Sequence, residues 1–83
     1  MMRRITFYTR ANCHLCDSAR YVLERVLADR GDVAVEYVDI DADATLRAGY
    51  DAHVPVICLD GMELARHRLD EQALIAALKC PPP

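Results

Sequence analysis

No apolar run in this sequence approaches the roughly 20 residues needed to span a membrane. The opening stretch, MMRRITFYTR, starts positive but returns to polar residues too soon for a secretory leader. Both absences make the cytoplasm the expected location, where thiols are mostly kept reduced. Positive charge is also scarce: 10 Lys and Arg stand against 13 Asp and Glu, for a net charge of −3. The basic residues are scattered apart from Arg3-Arg4 and Arg66-His67-Arg68. Neither nucleic acid nor an anionic membrane is therefore expected as a partner. Four cysteines stand at 13, 16, 58 and 80. Their spacing is not that of a secreted disulfide framework, and no second C-x-x-C completes a four-cysteine zinc site. Internal repeats, linkers and low-complexity segments are lacking too. The 83 residues read as one small domain, 1–83, expected to be monomeric, with PPP at 81–83 as an extended tail.

What is present alternates between strand and helix. RRITFYT (3–9) is β-branched and aromatic and predicts a strand. From Cys13 to Arg30 the apolar residues Leu15, Ala19, Val22, Leu23, Val26 and Leu27 keep helical spacing. Asn12 suits the N-cap of that helix and Gly31 a left-handed stop. VAVEYVD (33–39) is a second strand, which makes a right-handed β-α-β unit with parallel strands. A short helix is expected over 42–50. A strand covered on both faces follows at VPVICL (54–59). Asp60-Gly61 is a hairpin turn, MELAR (62–66) the returning strand, and Asp70 the cap of a last helix over 71–79. The order is β-α-β-α-β-β-α, an α/β fold.

The stretch TRANCHLCDSAR carries the chemistry. Cys13 falls at the start of the first helix and Cys16 one turn on, on the same face. Unpaired N–H groups and about half a positive charge at a helix N-terminus favour thiolate over thiol. A free cysteine ionises at about 8.5, and such positions bring this down to roughly 3.5–7.5. Cys13 is then the nucleophile and Cys16 the resolving thiol. A purely structural staple is the weaker reading, because a four-residue loop stabilises by only about 2 kcal/mol. Metal or iron–sulfur binding through Cys13 and Cys16, with His14 or glutathione as a further ligand, and a redox-sensing adaptor without turnover, stand as the alternatives.

The flanking residues divide between chemistry and surface. His14 is either a cation or proton donor beside the Cys13 sulfur or a solvent-facing helix residue. Leu15 reads as contact surface. Asp17 favours the helix start but opposes a second negative charge. Arg10, three residues before Cys13, stabilises a thiolate, holds a substrate carboxylate or is simply solvated. Pro55 opens an apolar strand although it donates nothing to a sheet ladder. Cys58 reads as a core thiol and Cys80 as an exposed spare. Arg66-His67-Arg68 reads as a solvated strand exit, with anion binding as the sharper option.

ITFYTRANCHLCDSA followed by VEYVDIDADATLRAGYDAHVPVICLDG resembles a glutaredoxin, and more closely the small bacterial glutaredoxin-like proteins whose motif reads C-H-L-C-D. The resemblance implies a thioredoxin fold, with a four-stranded mixed sheet flanked by helices. It implies a cis Pro55 beside the cysteine pair, and a Val54 backbone that pairs with an extended substrate segment. It places Arg10 where glutaredoxins usually hold a glutathione carboxylate with lysine. Four places depart from the pattern. His53 replaces a threonine, Asp51 after Tyr50 replaces a glycine at a left-handed turn that aspartate can adopt, His14 replaces a proline, and Ala65 to Arg68 stand where a Gly-Gly and acidic pair would hold the γ-glutamyl end of glutathione. The implied activity is thiol–disulfide exchange in cell redox homeostasis, at a potential of roughly −200 to −270 mV. Cys13 and Cys16 are its catalytic residues. Arg10, His14, Leu15, Val54 and Pro55 are its substrate-binding residues, with no resident metal. No tightly bound cofactor is expected, and glutathione is a candidate co-substrate. The expected partners are a disulfide-containing protein or small thiol, and a reductase or glutathione as electron donor.

Overall fold

The computed structural model describes residues 2–81, so Pro82 and Pro83 of the expected tail lie outside the described residues. Four strands, β1 (Arg3–Thr9), β2 (Val33–Asp39), β3 (Val56–Leu59) and β4 (Met62–Arg66), form one sheet in the order β2-β1-β3-β4. β1 and β2 run parallel from Arg3↔Val33 to Thr9↔Asp39. β1–β3 and β3–β4 are antiparallel, with a bulge at Ile57/Cys58. The helices are α1 (His14–Leu27), α2 (Ala44–Tyr50) and α3 (Glu71–Lys79), with a 3-10 turn at Ile40–Ala42.

Strand alternation decides which helix covers which face. Ile5 and Phe7 of β1 are fully buried and cluster with Leu23 of α1 and Leu74 of α3. Each such side chain contributes about 1.5–3 kcal/mol by burial. Tyr8 points to the other face, where its ring lies 4.9 Å from that of Tyr50 in α2. Helices thus flank both faces of the mixed sheet, and the α/β thioredoxin fold is the observed one. No helix among the described residues is long and apolar enough to cross a membrane.

Several boundaries differ from the sequence expectations. Helix α1 ends at Leu27 instead of Arg30, because the Arg30 N–H turns back to the Leu27 carbonyl at 3.0 Å. The residue after α1, Ala28, is right-handed, and Gly31 is not among the positive-φ residues. The short helix splits, because Asp43 breaks the run and caps α2 through the N–H groups of Thr45 and Leu46. Asp51 is right-handed at φ −47° rather than left-handed. Strand β3 begins at Val56, after a cis Val54–Pro55 peptide. Cys58 is half-buried rather than a core residue, and burial pushes its thiol up. Cys80 is exposed.

Arg3 ties the fold's two ends together. Its Nε donates to Asp60 Oδ2 at 2.6 Å, and its Nη1 donates to the Cys80 carbonyl at 2.7 Å. Asp60 also accepts the Arg4 N–H, and the Arg3 guanidinium holds its carboxyl below the usual carboxylate range.

Candidate active site

The chain leaves β1 through Asn12, whose φ of +59° lies in the left-handed region that asparagine tolerates better than most residues. That turn makes Cys13, not Asn12, the N-cap of α1. Cys13 is extended (φ −112°, ψ 105°), and its carbonyl accepts the first helical bond from Asp17 N–H at 3.0 Å. Its Sγ accepts the Cys16 N–H at 3.1 Å. A sulfur in the place of a capping oxygen faces the unpaired amides of the first turn, where negative charge is favoured. Cys13 and Cys16 form a disulfide, with Cα atoms 5.2 Å apart. The two sulfurs are not equivalent, since Cys13 is partly exposed and Cys16 is 2% exposed. His14 is exposed, and Leu15, between the cysteines, keeps 39% of its surface in solvent.

Val54 and Pro55 join the cysteines from across the fold. Val54, Cys16 and Cys13 pack within one cluster, and Pro55 is fully buried. The Pro55 carbonyl accepts the His67 N–H at 2.8 Å, and the Tyr50 carbonyl accepts the His53 N–H at 2.9 Å. Both bonds pin the segment that carries Val54. Among the described residues, neither the N–H nor the carbonyl of Val54 has a hydrogen-bond partner.

Arg10 is placed otherwise than expected. Its Nε and Nη2 grip Asp41 at 3.1 and 2.6 Å, and its Nη1 meets the carbonyl and the Oδ1 of Asp51, each at 2.9 Å. Two carboxylates against one guanidinium leave no net positive charge there to draw a thiolate or a ligand carboxylate. Asp41 is held below the usual carboxylate range by this pairing. Arg10 therefore ties the loop before the cysteines to the 3-10 turn and to the end of α2.

Sequence reasoning missed a histidine pair. The rings of His53 and His67 lie 5.7 Å apart, His53 Nδ1 is buried without a partner, and His67 sits at φ +70°. The available signal was positional: His53 takes the usual threonine position and His67 falls within ARHR, in the Gly-Gly region. Among the described residues, no group of three or more His, Cys, Asp or Glu side chains is arranged to hold a metal ion.

A family model described as a glutaredoxin-like domain (DUF836) matches residues 4–79. The X-ray structure of a structural-genomics target protein from X. campestris is similar at 37% identity with a TM-score of 0.77, covering 94% of this chain and 99% of that one. The solution structure of a Nitrosomonas europaea protein is similar at 26% identity and a TM-score of 0.76, covering 93% and 92%. A thioredoxin from Halobacterium salinarum follows at 27% identity and a TM-score of 0.66, covering 93% of this chain and 72% of its own. No curated protein matches the sequence significantly. A thioredoxin fold bearing a disulfide-forming Cys13–Cys16 pair suggests redox chemistry.

Proposed function

This chain belongs to the glutaredoxin-like domain family, and on that premise we propose that it is a dithiol–disulfide oxidoreductase that reduces protein or small-molecule disulfides. The observation that carries this reading is the placement of Cys13 Sγ at the N-cap of α1, with the Cys16 N–H directed at it and the Cys16 sulfur buried behind it.

In the reduced protein the Cys13 thiolate attacks one sulfur of the substrate disulfide. A Cys13–substrate bond forms, the substrate S–S bond breaks, and the other substrate sulfur leaves as a thiolate that takes up a proton. Cys16 then loses its proton and attacks the Cys13 sulfur. The Cys13–Cys16 disulfide forms and the second substrate thiol is released. Two electrons and two protons pass to the substrate, one proton from Cys16 and one from solvent because Cys13 attacks as a thiolate. A thiol such as glutathione, or a thioredoxin-reductase-type donor, returns them to the protein; no tightly bound cofactor is needed. The unpaired N–H and carbonyl of Val54 support docking of an extended substrate segment by strand addition, with buried Pro55 fixing that backbone. His14 and Leu15 form the exposed rim around the sulfurs. Arg10 acts as a positioning residue for this loop.

The test is disulfide turnover by the purified protein with glutathione or a thioredoxin-reductase-type system as donor. Turnover with one donor supports the reading. No turnover with either, together with no Cys13–Cys16 bond under mild oxidant, overturns it.

A further inference from the structure

Beside the cysteine pair lies a groove of about 130 Å³ between α1 and the segment that follows β4. Leu15, Ala19 and Val22, at helical spacing along α1, line one side, and Leu69 faces them from the other. His67 and Arg68 form the rim. The groove starts at Leu15, one of the two residues between the cysteines, and its rim is bonded to Pro55 through the His67 N–H. A substrate sulfur at Cys13 would therefore carry its neighbouring residues over it.

Size and charge select the occupant. Small-molecule sites usually run to about 300–1,000 Å³; this groove is smaller and suits one apolar side chain of a longer segment. Its rim is cationic. Among the described residues Arg4, Arg30, Arg47, Arg68 and Lys79 make no ion pair, and of these Arg68 alone lines the groove. The nearest acid in sequence, Asp70, caps α3 through Ala73 N–H at 2.9 Å and forms no ion pair with Arg68. The chain's net charge of −3 acts at longer range. At physiological salt the Debye length is about 8 Å, so the local cation governs the contact.

We propose that this groove makes the enzyme selective for disulfides in acidic protein segments: an apolar side chain near the target cysteine fills the groove, and an adjacent Asp or Glu pairs with Arg68. Arg68 is thereby a specificity-determining residue. The proposal rests on the disulfide-exchange reading for its meaning, and its test separates the two.

Two labelled peptides carry Leu in the same position and serine in place of the target cysteine, so no exchange occurs. They differ only in Glu or Lys beside the Leu. Binding to the oxidised protein is followed by fluorescence anisotropy. The Glu peptide is expected to bind about 2- to 5-fold tighter than the Lys peptide, a difference of the size an exposed charge contact supports, and to lose that advantage in high salt. Arg68→Glu abolishes or reverses the preference, and Arg68→Lys keeps it. Arg30→Glu, the same charge change beyond the C-terminal end of α1 at a residue that does not line the groove, also keeps it. The proposal is overturned if the preference survives Arg68→Glu. It is equally overturned if wild-type protein shows no preference or no binding at millimolar peptide, or if glutathione displaces the Glu peptide through Arg68. Arg68-dependent binding with neither turnover nor a Cys13–Cys16 bond under mild oxidant would sink the redox reading alone, and turnover without peptide preference would sink this proposal alone.

Discussion

Cys13 Sγ and the backbone nitrogen of Cys16 lie 3.1 Å apart, with the amide hydrogen directed at the sulfur. After reduction the same N–H and its neighbours in the first turn face a free sulfur, and hydrogen bonding to the charged form favours thiolate. Alkylation of the reduced protein by iodoacetamide should occur first at Cys13. Its rate should reach half its plateau at a lower pH than for a free cysteine. Cys16, 2% exposed, should label only after unfolding. Mass spectrometry of the labelled peptides checks both.

The unequal exposure of the two sulfurs sets the outcome of replacing each. Cys13→Ser should lose essentially all disulfide reduction. Cys16→Ser should still attack but not resolve, and should accumulate a one-to-one mixed disulfide with a substrate, visible by mass and released by dithiothreitol. Accumulation in Cys13→Ser instead would reverse the assigned roles.

Arg10 should matter for the fold more than for the sulfur. An opposite charge within about 4–6 Å would lower a thiol's pKa by about 1–3 units, but this guanidinium is occupied by Asp41 and Asp51. Arg10→Ala should lower the denaturant midpoint while moving the Cys13 alkylation midpoint by well under about one pH unit. A larger movement would show that the arginine reaches the sulfur.

The pairing of Asp60 with Arg3 predicts a pH signature. A carboxyl whose folded pKa is depressed adds stability above its unfolded value of about 3.9, and loses it as pH falls through the lower folded value. Wild type should therefore be more stable than Asp60→Asn near neutrality, and the gap should close in acid. Denaturant unfolding at a series of pH values measures it; a gap constant with pH would rule out the ion pair as its source.

Leu23 is fully buried between α1 and the sheet. Leu23→Ala should cost about 2–5 kcal/mol by urea unfolding, enough to threaten a domain of this size.

Much of this fold could be read in the residues because the strongest local signals agree with the packing. β-Branched runs at 3–9 and 33–39, the Asp60-Gly61 turn and Asp70 as a cap all sit where their chemistry requires. The failures arise where a residue answers to something distant. Asn12 carries the usual capping side chain, but it took the left-handed turn and passed the cap to Cys13, a residue type with no strong capping preference. Arg10 finds partners 31 and 41 positions away, beyond the reach of spacing arguments. Gly31 offers a stop, yet α1 had already ended at Leu27. The His53–His67 approach joins two segments that meet only once β3 and β4 pair.

The strand made earliest, β1, is an interior strand of the sheet. On a ribosome it finds β2 as soon as Asp39 has emerged, but its opposite edge stays open until residues 56–59 follow. At ~5–20 residues per second that interval lasts about one to four seconds. Throughout it Ile5 and Phe7 lack much of their eventual cover, because Leu74 arrives later still. Part of that apolar face therefore stays open to solvent during synthesis, and the core closes only when Leu74 of α3 packs onto it.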